Sequence, residues 1–169
     1  SVAPDGSLIV ADWYDPGVGG HGAGDQTKGR IYRVAPKGAA YAVSKEDYSN
    51  PASAVDALQN PNLAVRYLAF SALQGMGAKA VAELENCWKN NEDPRMRARA
   101  FWVLVKMNGS DSKKYIKQAI KSDNADLRIM GIRAAQELNA DLLAVVNELV
   151  NDKDAQVRRE CAVVLRHNK

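Results

Sequence analysis

The stretch Asn62-Leu63-Ala64-Val65-Arg66-Tyr67-Leu68-Ala69-Phe70-Ser71-Ala72-Leu73 decides the fold, because its pattern returns three times. The later copies run from Asp93 to Leu104, from Asn124 to Ala135 and from Asp154 to Leu165. Their arginines, Arg66, Arg97, Arg128 and Arg158, lie 31, 31 and 30 residues apart. Each follows an apolar residue (Val65, Met96, Leu127, Val157) and stands four after an Asn or Asp (Asn62, Asp93, Asn124, Asp154). A small residue comes three later (Ala69, Ala100, Gly131, Cys161), and Leu73, Leu104, Ala135 and Leu165 come seven later. A shared pattern at a period of about 30 residues, with only helical patterning inside it, means stacked helix pairs. Such arrays present surfaces more than they perform chemistry.

Working outward, the first helices of the pairs are predicted at about 51–59, 78–90, 111–122 and 140–151. The second helices follow at about 62–75, 94–107, 124–138 and 154–167. Pro61 and Pro94 fall in linkers or first turns, where a missing N–H costs nothing. Asn62, Asp93, Asn124 and Asp154 suit N-cap positions, accepting from free backbone donors. Gly75, Gly77 and Gly109 are expected just beyond helix ends, as C-terminal stops. The small column lets neighbouring helices approach closely, while Phe70, Phe101, Ile132 and the Leu column fill the space between them. The arginine column is read as structural, each guanidinium meeting the Asn or Asp of the adjacent repeat in a ladder, with ligand binding by the column as the alternative.

The 169 residues suffice for one ordinary domain, or a small one with an appendage. With 46% apolar and 25% charged residues the composition is that of a foldable chain. Its net charge of +3 is spread thinly and does not point to nucleic acid by itself. No apolar run approaches the roughly 18 residues that a bilayer span needs. Ser1 opens directly into Val-Ala-Pro-Asp-Gly, with neither a basic region nor an apolar core, and the expectation is a piece of a longer protein. Cys87 and Cys161 stand far apart with no Cys-x-x-Cys and no neighbouring His, so they read as buried free thiols.

Residues 1–40 are of another kind. Asp5-Gly6 signals a turn before Leu8-Ile9-Val10-Ala11, and Arg30-Ile31-Tyr32-Arg33-Val34 runs from Gly29 towards Pro36. Both read as strands. The loop between them, Asp12 to Lys28, has 17 residues and five glycines, longer than structureless loops in compact domains usually are. The expected organisation is a β-hairpin over 1–40, a polar linker over 41–50 and the helical repeats over 51–169.

The four copies resemble HEAT and HEAT-like (bilin-lyase type) repeats, whose shared pattern is an Asp before an apolar-Arg pair, then small and Leu positions. Pro4-Asp5-Gly6-Ser7-Leu8-Ile9-Val10-Ala11-Asp12-Trp13 resembles the closing strand of a β-propeller blade of the NHL or glucose/sorbosone dehydrogenase-like type. Together with Asp12-Trp13-Tyr14-Asp15-Pro16, the Gly/His loop and Gly29 to Val34, the order is similar to one bacterial family. There a dehydrogenase-like propeller runs into HEAT repeats and then a cytochrome c domain, in proteins described as membrane-bound dehydrogenases or haem-binding. The resemblance implies a periplasmic or cell-surface location, and haem and a redox cofactor in the full-length protein. Only the last two propeller strands have counterparts here, and the Cys-x-x-Cys-His haem motif is absent from this sequence. Oxidation chemistry therefore is not carried by these residues alone.

Three functional readings follow. The first is a mainly α, right-handed superhelix of four helix pairs with a small N-terminal hairpin, acting as a non-catalytic protein-interaction scaffold within a larger dehydrogenase-like protein. Its partners are other domains of the polypeptide, a partner protein, or a second copy paired through the hairpin edge. The second gives the 12–28 loop a metal or cofactor, with Asp12, Asp15, His21 and Asp25 as ligands. Carboxylates and carbonyls on a flexible loop suit calcium and the His a transition metal, although the spacing is not that of an EF-hand. The third is nucleic-acid binding by a basic second helix carrying Arg95, Arg97, Arg99 and Lys106, with Trp88, Phe101 and Trp102 nearby. Against it, an alternating charged face is usually only solvated, and Phe101 and Trp102 fall on core positions. No nucleophile elbow, phosphate loop, paired carboxylates or Ser/His/Asp arrangement is visible.

Overall fold

The structure is a computed structural model, and it describes residues 1–12, 27–42, 45–107 and 111–166. Among the described residues two strands, β1 (Leu8–Asp12) and β2 (Arg30–Val34), precede eight helices. The helices are α1 (Pro51–Ala57), α2 (Leu63–Met76), α3 (Ala78–Asn90), α4 (Pro94–Met107), α5 (Ser112–Ala119), α6 (Ala125–Glu137), α7 (Leu142–Leu149) and α8 (Ala155–Leu165). Each odd helix packs on the even helix that follows it, and the even helices stack in the order α2, α4, α6, α8. The chain is thus a mainly α helical-repeat solenoid with a small hairpin, as the repeat period predicts. No helix among the described residues is long and apolar enough to cross a membrane.

The boundaries follow local chemistry. Asn62, Asn124 and Asp154 each accept from backbone N–H groups in the first turn of α2, α6 and α8, and Asp93 accepts from the N–H of Arg95 at the start of α4. Asn50 and Asp141 cap α1 and α7 in the same way. These caps satisfy donors that have no partner inside the helix. Helix α6 ends in a left-handed residue, Asn139 at φ 50°, where Asn is the best tolerated residue after Gly. The Ala140 N–H then reaches the Ala135 carbonyl at 2.9 Å and the Asn139 N–H reaches Gln136 at 3.3 Å, the paired bonds of a Schellman stop. Gly77, at φ 55°, separates α2 from α3. Gly75 corrects the sequence reading: it lies inside α2, which runs one residue beyond it, because Gly77 already supplies the stop. Gly109 lies outside the described residues.

The core sits in the seam between helix layers. Val65, Met96, Leu127 and Val157 are buried, and so is the whole small column of Ala69, Ala100, Gly131 and Cys161. Close approach is a requirement at Gly131, where an added Cβ would lie 2.8 Å from Ile120 Cγ2 and 3.1 Å from the Ile120 nitrogen. Overpacking costs about 1–3 kcal/mol, whereas Gly→Ala inside a helix gains up to about 1 kcal/mol. Gly131→Ala should therefore come out net destabilising in urea titration. The midpoint should rise if Ile120 is cut to Ala in the same chain, because the obstructing methyl is then gone.

The hairpin is antiparallel, with Leu8 opposite Val34, Val10 opposite Tyr32 and Asp12 opposite Arg30. It docks on the first repeat, though by neither strand face. The preceding segment makes the contact: Ala3 and Ser7 are buried, and Asn62 and Asn60 donate to the carbonyls of Val2 and Pro4. Arg33 fastens this segment from β2. It pairs with Asp5 at 3.0 Å, donates to the Ser7 hydroxyl at 3.1 Å, and reaches the Ala39 and Ala40 carbonyls. Leu8, Val10, Tyr32 and Val34, which share one face of the ribbon, stay exposed, and so does Ile31 on the other.

Candidate interaction surfaces

The arginine column is built on the turn between the two helices of each repeat. In the third repeat, Arg128 Nη1 donates to the Ser122 and Asp123 carbonyls at 2.8 and 3.0 Å. In the fourth, Arg158 Nη1 donates to the Asp152 and Lys153 carbonyls, six and five residues back as before. Each guanidinium binds the two carbonyls of the turn that leads from the first helix into its own. Arg97 differs: its Nε donates to the Trp88 carbonyl at 2.9 Å and its guanidinium lies 5.3 Å from the Trp88 ring centroid. Arg66 is half-buried, and its side chain makes no hydrogen bond to a described residue.

The ladder itself is one rung long among the described residues. Arg128 forms a two-pronged pair with Asp152 of the next repeat, Nε to Oδ2 and Nη2 to Oδ1, both at 2.8 Å. The partner is not the capping Asp154 that the sequence suggests but the residue two before it. The capping side chains point into their own helix and are occupied by its N–H groups. Asn60, Asn91, Ser122 and Asp152 form a further column, six before each arginine, that the sequence reading missed. Each side-chain oxygen accepts from the N–H two residues on, closing the turn before the cap. Its signal was present in the same spacing, but the mixture of Asn, Ser and Asp hides it unless a turn role is sought. Only Asp152 adds a carboxylate, so only there does an ion pair form.

Other links between repeats join unlike residues that no column announces. Arg133 grips Glu160 with Nε and Nη2 at 2.7 and 3.0 Å, and the Arg133 guanidinium holds the Glu160 carboxyl below its usual pKa. Trp88 Nε1 donates to Gln118 Oε1 at 3.0 Å. Glu85 accepts from Lys114, Lys89 and the Tyr115 hydroxyl, all at 2.8 Å, and these donors, Lys114 first, hold its carboxyl at about 2. A depressed pKa stabilises the fold above the ordinary carboxylate value and loses that contribution as pH falls through the lowered one. Between about pH 4.5 and 2 the Tm should therefore fall less steeply for Glu85→Gln than for the parent chain. Parallel Tm profiles down to pH 2 would show that the cluster contributes nothing.

The basic second helix is not a free cationic face. Arg99 Nη1 crosses to the Leu58 carbonyl at the end of α1, at 2.6 Å, and burial together with the nearby Arg66 charge lowers its pKa. Lys106 pairs with Glu137 at 2.6 Å, and Arg95 with its own cap Asp93 at 3.2 Å. Phe101 is fully buried and Trp88 nearly so, leaving Trp102 half-buried under Lys106. The aromatics belong to the core, as their helical spacing suggests, and offer no stacking platform for bases. Of the metal candidates, Asp12 is exposed at the end of β1 opposite Arg30, whereas Asp15, His21 and Asp25 lie outside the described residues. Among the described residues no three His, Cys, Asp or Glu side chains converge as metal ligands. Cys87 and Cys161 are buried free thiols, and burial raises both pKa values.

Among the described residues most large exposed apolar side chains lie on the ribbon and on a patch of α2 made by Leu63 (74% exposed), Tyr67 (70%) and Leu68, with Tyr41 in the linker and Leu143, Val150 and Val163 in the last repeat among the others. Leu63 and Tyr67 are one helical turn apart and share a face. Large exposed apolar areas of this kind mark interaction surfaces. Comparison with known families places the model described as HEAT repeats on residues 51–136, which is just over half of the chain. No curated protein matched the chain.

Proposed function

Because the chain belongs to the HEAT-repeat family, we propose that it is a non-catalytic scaffold whose N-terminal ribbon docks against further β-structure of a larger, dehydrogenase-like protein. HEAT repeats commonly serve as protein-interaction scaffolds. The observation that carries the finer reading is a two-stranded ribbon tied by Arg33 to the segment before it, which Asn60 and Asn62 hold on the first repeat, with the ribbon's apolar side chains left bare. A lone hairpin is at best marginal in water, and three or more strands with a covered face are the usual remedy. The turn Asp5-Gly6 and strand Leu8–Asp12 also fit a closing blade strand, which supports a propeller as the neighbour. In that setting the protein would work in the periplasm or at the cell surface.

The test is hydrogen exchange on this chain and on the protein encoded by the complete reading frame. Ile9 already donates to the Ser1 carbonyl, so the outer-edge amides of 10–12 and 30–34 are the ones that should exchange rapidly in the chain and become at least tenfold slower in the longer protein. Equal rates in both would sink the proposal. Slowing that depends on the concentration of the chain alone would instead assign the edge to a second copy.

A further inference from the structure

The third and fourth repeats show what the ladder does when complete, and the second and third show it with a rung missing. Arg128 reaches the side chain at the turn of the next repeat, where Asp152 supplies a carboxylate to its fork. The corresponding pair one repeat earlier is Arg97 and Ser122. Serine brings no charge, and its hydroxyl is engaged by the Asn124 N–H. Here the structure has an open groove of about 490 Å³, with Arg97 and Trp88 on one side and Ser122 and Asp123 on the other.

The groove is cationic. Lys89 and Lys121 line it with Arg97, against the single carboxylate of Asp123. Lys89 is shared with Glu85, whereas Lys121 makes no ion pair to a described residue. A second hollow of about 580 Å³ continues from it past Gln118 and Lys121 to Lys114 and Lys117 on α5. Arg97 uses Nε on the Trp88 carbonyl, so Nη1 and Nη2 donate to no described residue and remain as an end-on fork. The Trp88 ring beneath fixes the guanidinium in place. A planar fork of this kind pairs with a carboxylate through two parallel hydrogen bonds.

We propose that the groove between the second and third repeats binds an acidic segment of a partner protein, a Glu or Asp side chain seating end-on against Nη1 and Nη2 of Arg97, whereas Asp152 takes the Nε and Nη2 side of Arg128. Neighbouring acidic residues of that segment run along Lys121 and Lys117, short of Lys114, whose ammonium is paired with Glu85 at 2.8 Å. The surface is separate from the ribbon, so this site stands or falls independently of the docking proposed for residues 1–40.

The probe is a fluorescein-labelled hexaglutamate peptide, titrated by anisotropy at low ionic strength, where exposed charges are least screened. Saturable binding is expected to the parent chain and to a Lys37→Met control. Arg97→Met should weaken it by about tenfold or more, the size of one charged hydrogen-bonded pair. Ser122→Asp, which completes the rung from within and leaves Arg97 in place, should weaken it as much while raising Tm. That second variant keeps the test decisive if Arg97→Met folds poorly. Absence of binding, an unchanged Kd in Ser122→Asp, or tighter binding of a thymidine oligonucleotide of equal charge would each overturn the assignment.

Discussion

Asp152→Ala is expected to destabilise the chain by about 3–5 kcal/mol, since cutting one partner from a buried ion pair strands the other charge. The Arg128 and Asp152 side chains are only 6% and 9% exposed. Asp152 also accepts from the Asp154 N–H at 2.8 Å, so its loss loosens the turn before α8 as well. Asp152→Asn separates the two roles, keeping the turn bond and discarding the charge, and should fall between Ala and the parent. Arg128→Met belongs with the Ala variant, because it leaves the Asp152 carboxylate buried without its cation. Arg97→Met should cost only about 1 kcal/mol, the worth of one hydrogen bond to a carbonyl. Urea midpoints decide the ranking, with exposed Lys113→Met as reference. An Asp152→Ala midpoint level with that reference would mean that the pair is no more than decoration. In a linear array the damage is local, so amides of α7 and α8 should lose protection before those of α3 and α4.

That ranking shows where sequence reading reached and where it stopped. Helix pairs, capping residues and the buried small column were legible because each repeats every turn of the array, and four copies average out local noise. The fourth pair lies beyond residue 136, where the family match ends, yet Asp154, Val157, Arg158 and Cys161 announce it. The partner of Arg128 was not legible. The column that supplies it holds Asn60, Asn91, Ser122 and Asp152, and a shared turn geometry rather than a shared charge keeps it together. Arg33 was equally hidden: its partners Asp5 and Ser7 lie 28 and 26 residues away across the hairpin, a distance set by register. The Arg97 groove required both facts at once, the rung geometry and the serine that interrupts it.

Phe101→Ala is the other large effect, and its sign of failure separates a core residue from a binding one. The ring is 0% exposed, with centroids 5.3 Å from Trp88 and 5.8 Å from Trp102. Truncating a buried aromatic costs about 3–5 kcal/mol, through lost burial and the cavity left behind. The cavity would open beside Trp88 and Trp102, in close-packed core that collapses only partly into it. Phe101→Leu should recover roughly half of the loss, since most of the volume returns without the ring contacts. If Phe101 instead served a nucleic-acid face, the Ala variant would keep its urea midpoint and lose affinity for single strands. The expected result is the reverse, a midpoint lowered by several kcal/mol with no oligonucleotide binding to lose. It would also weaken hexaglutamate binding secondarily, because Trp88, whose ring packs at a tilt against Phe101, is the platform under Arg97.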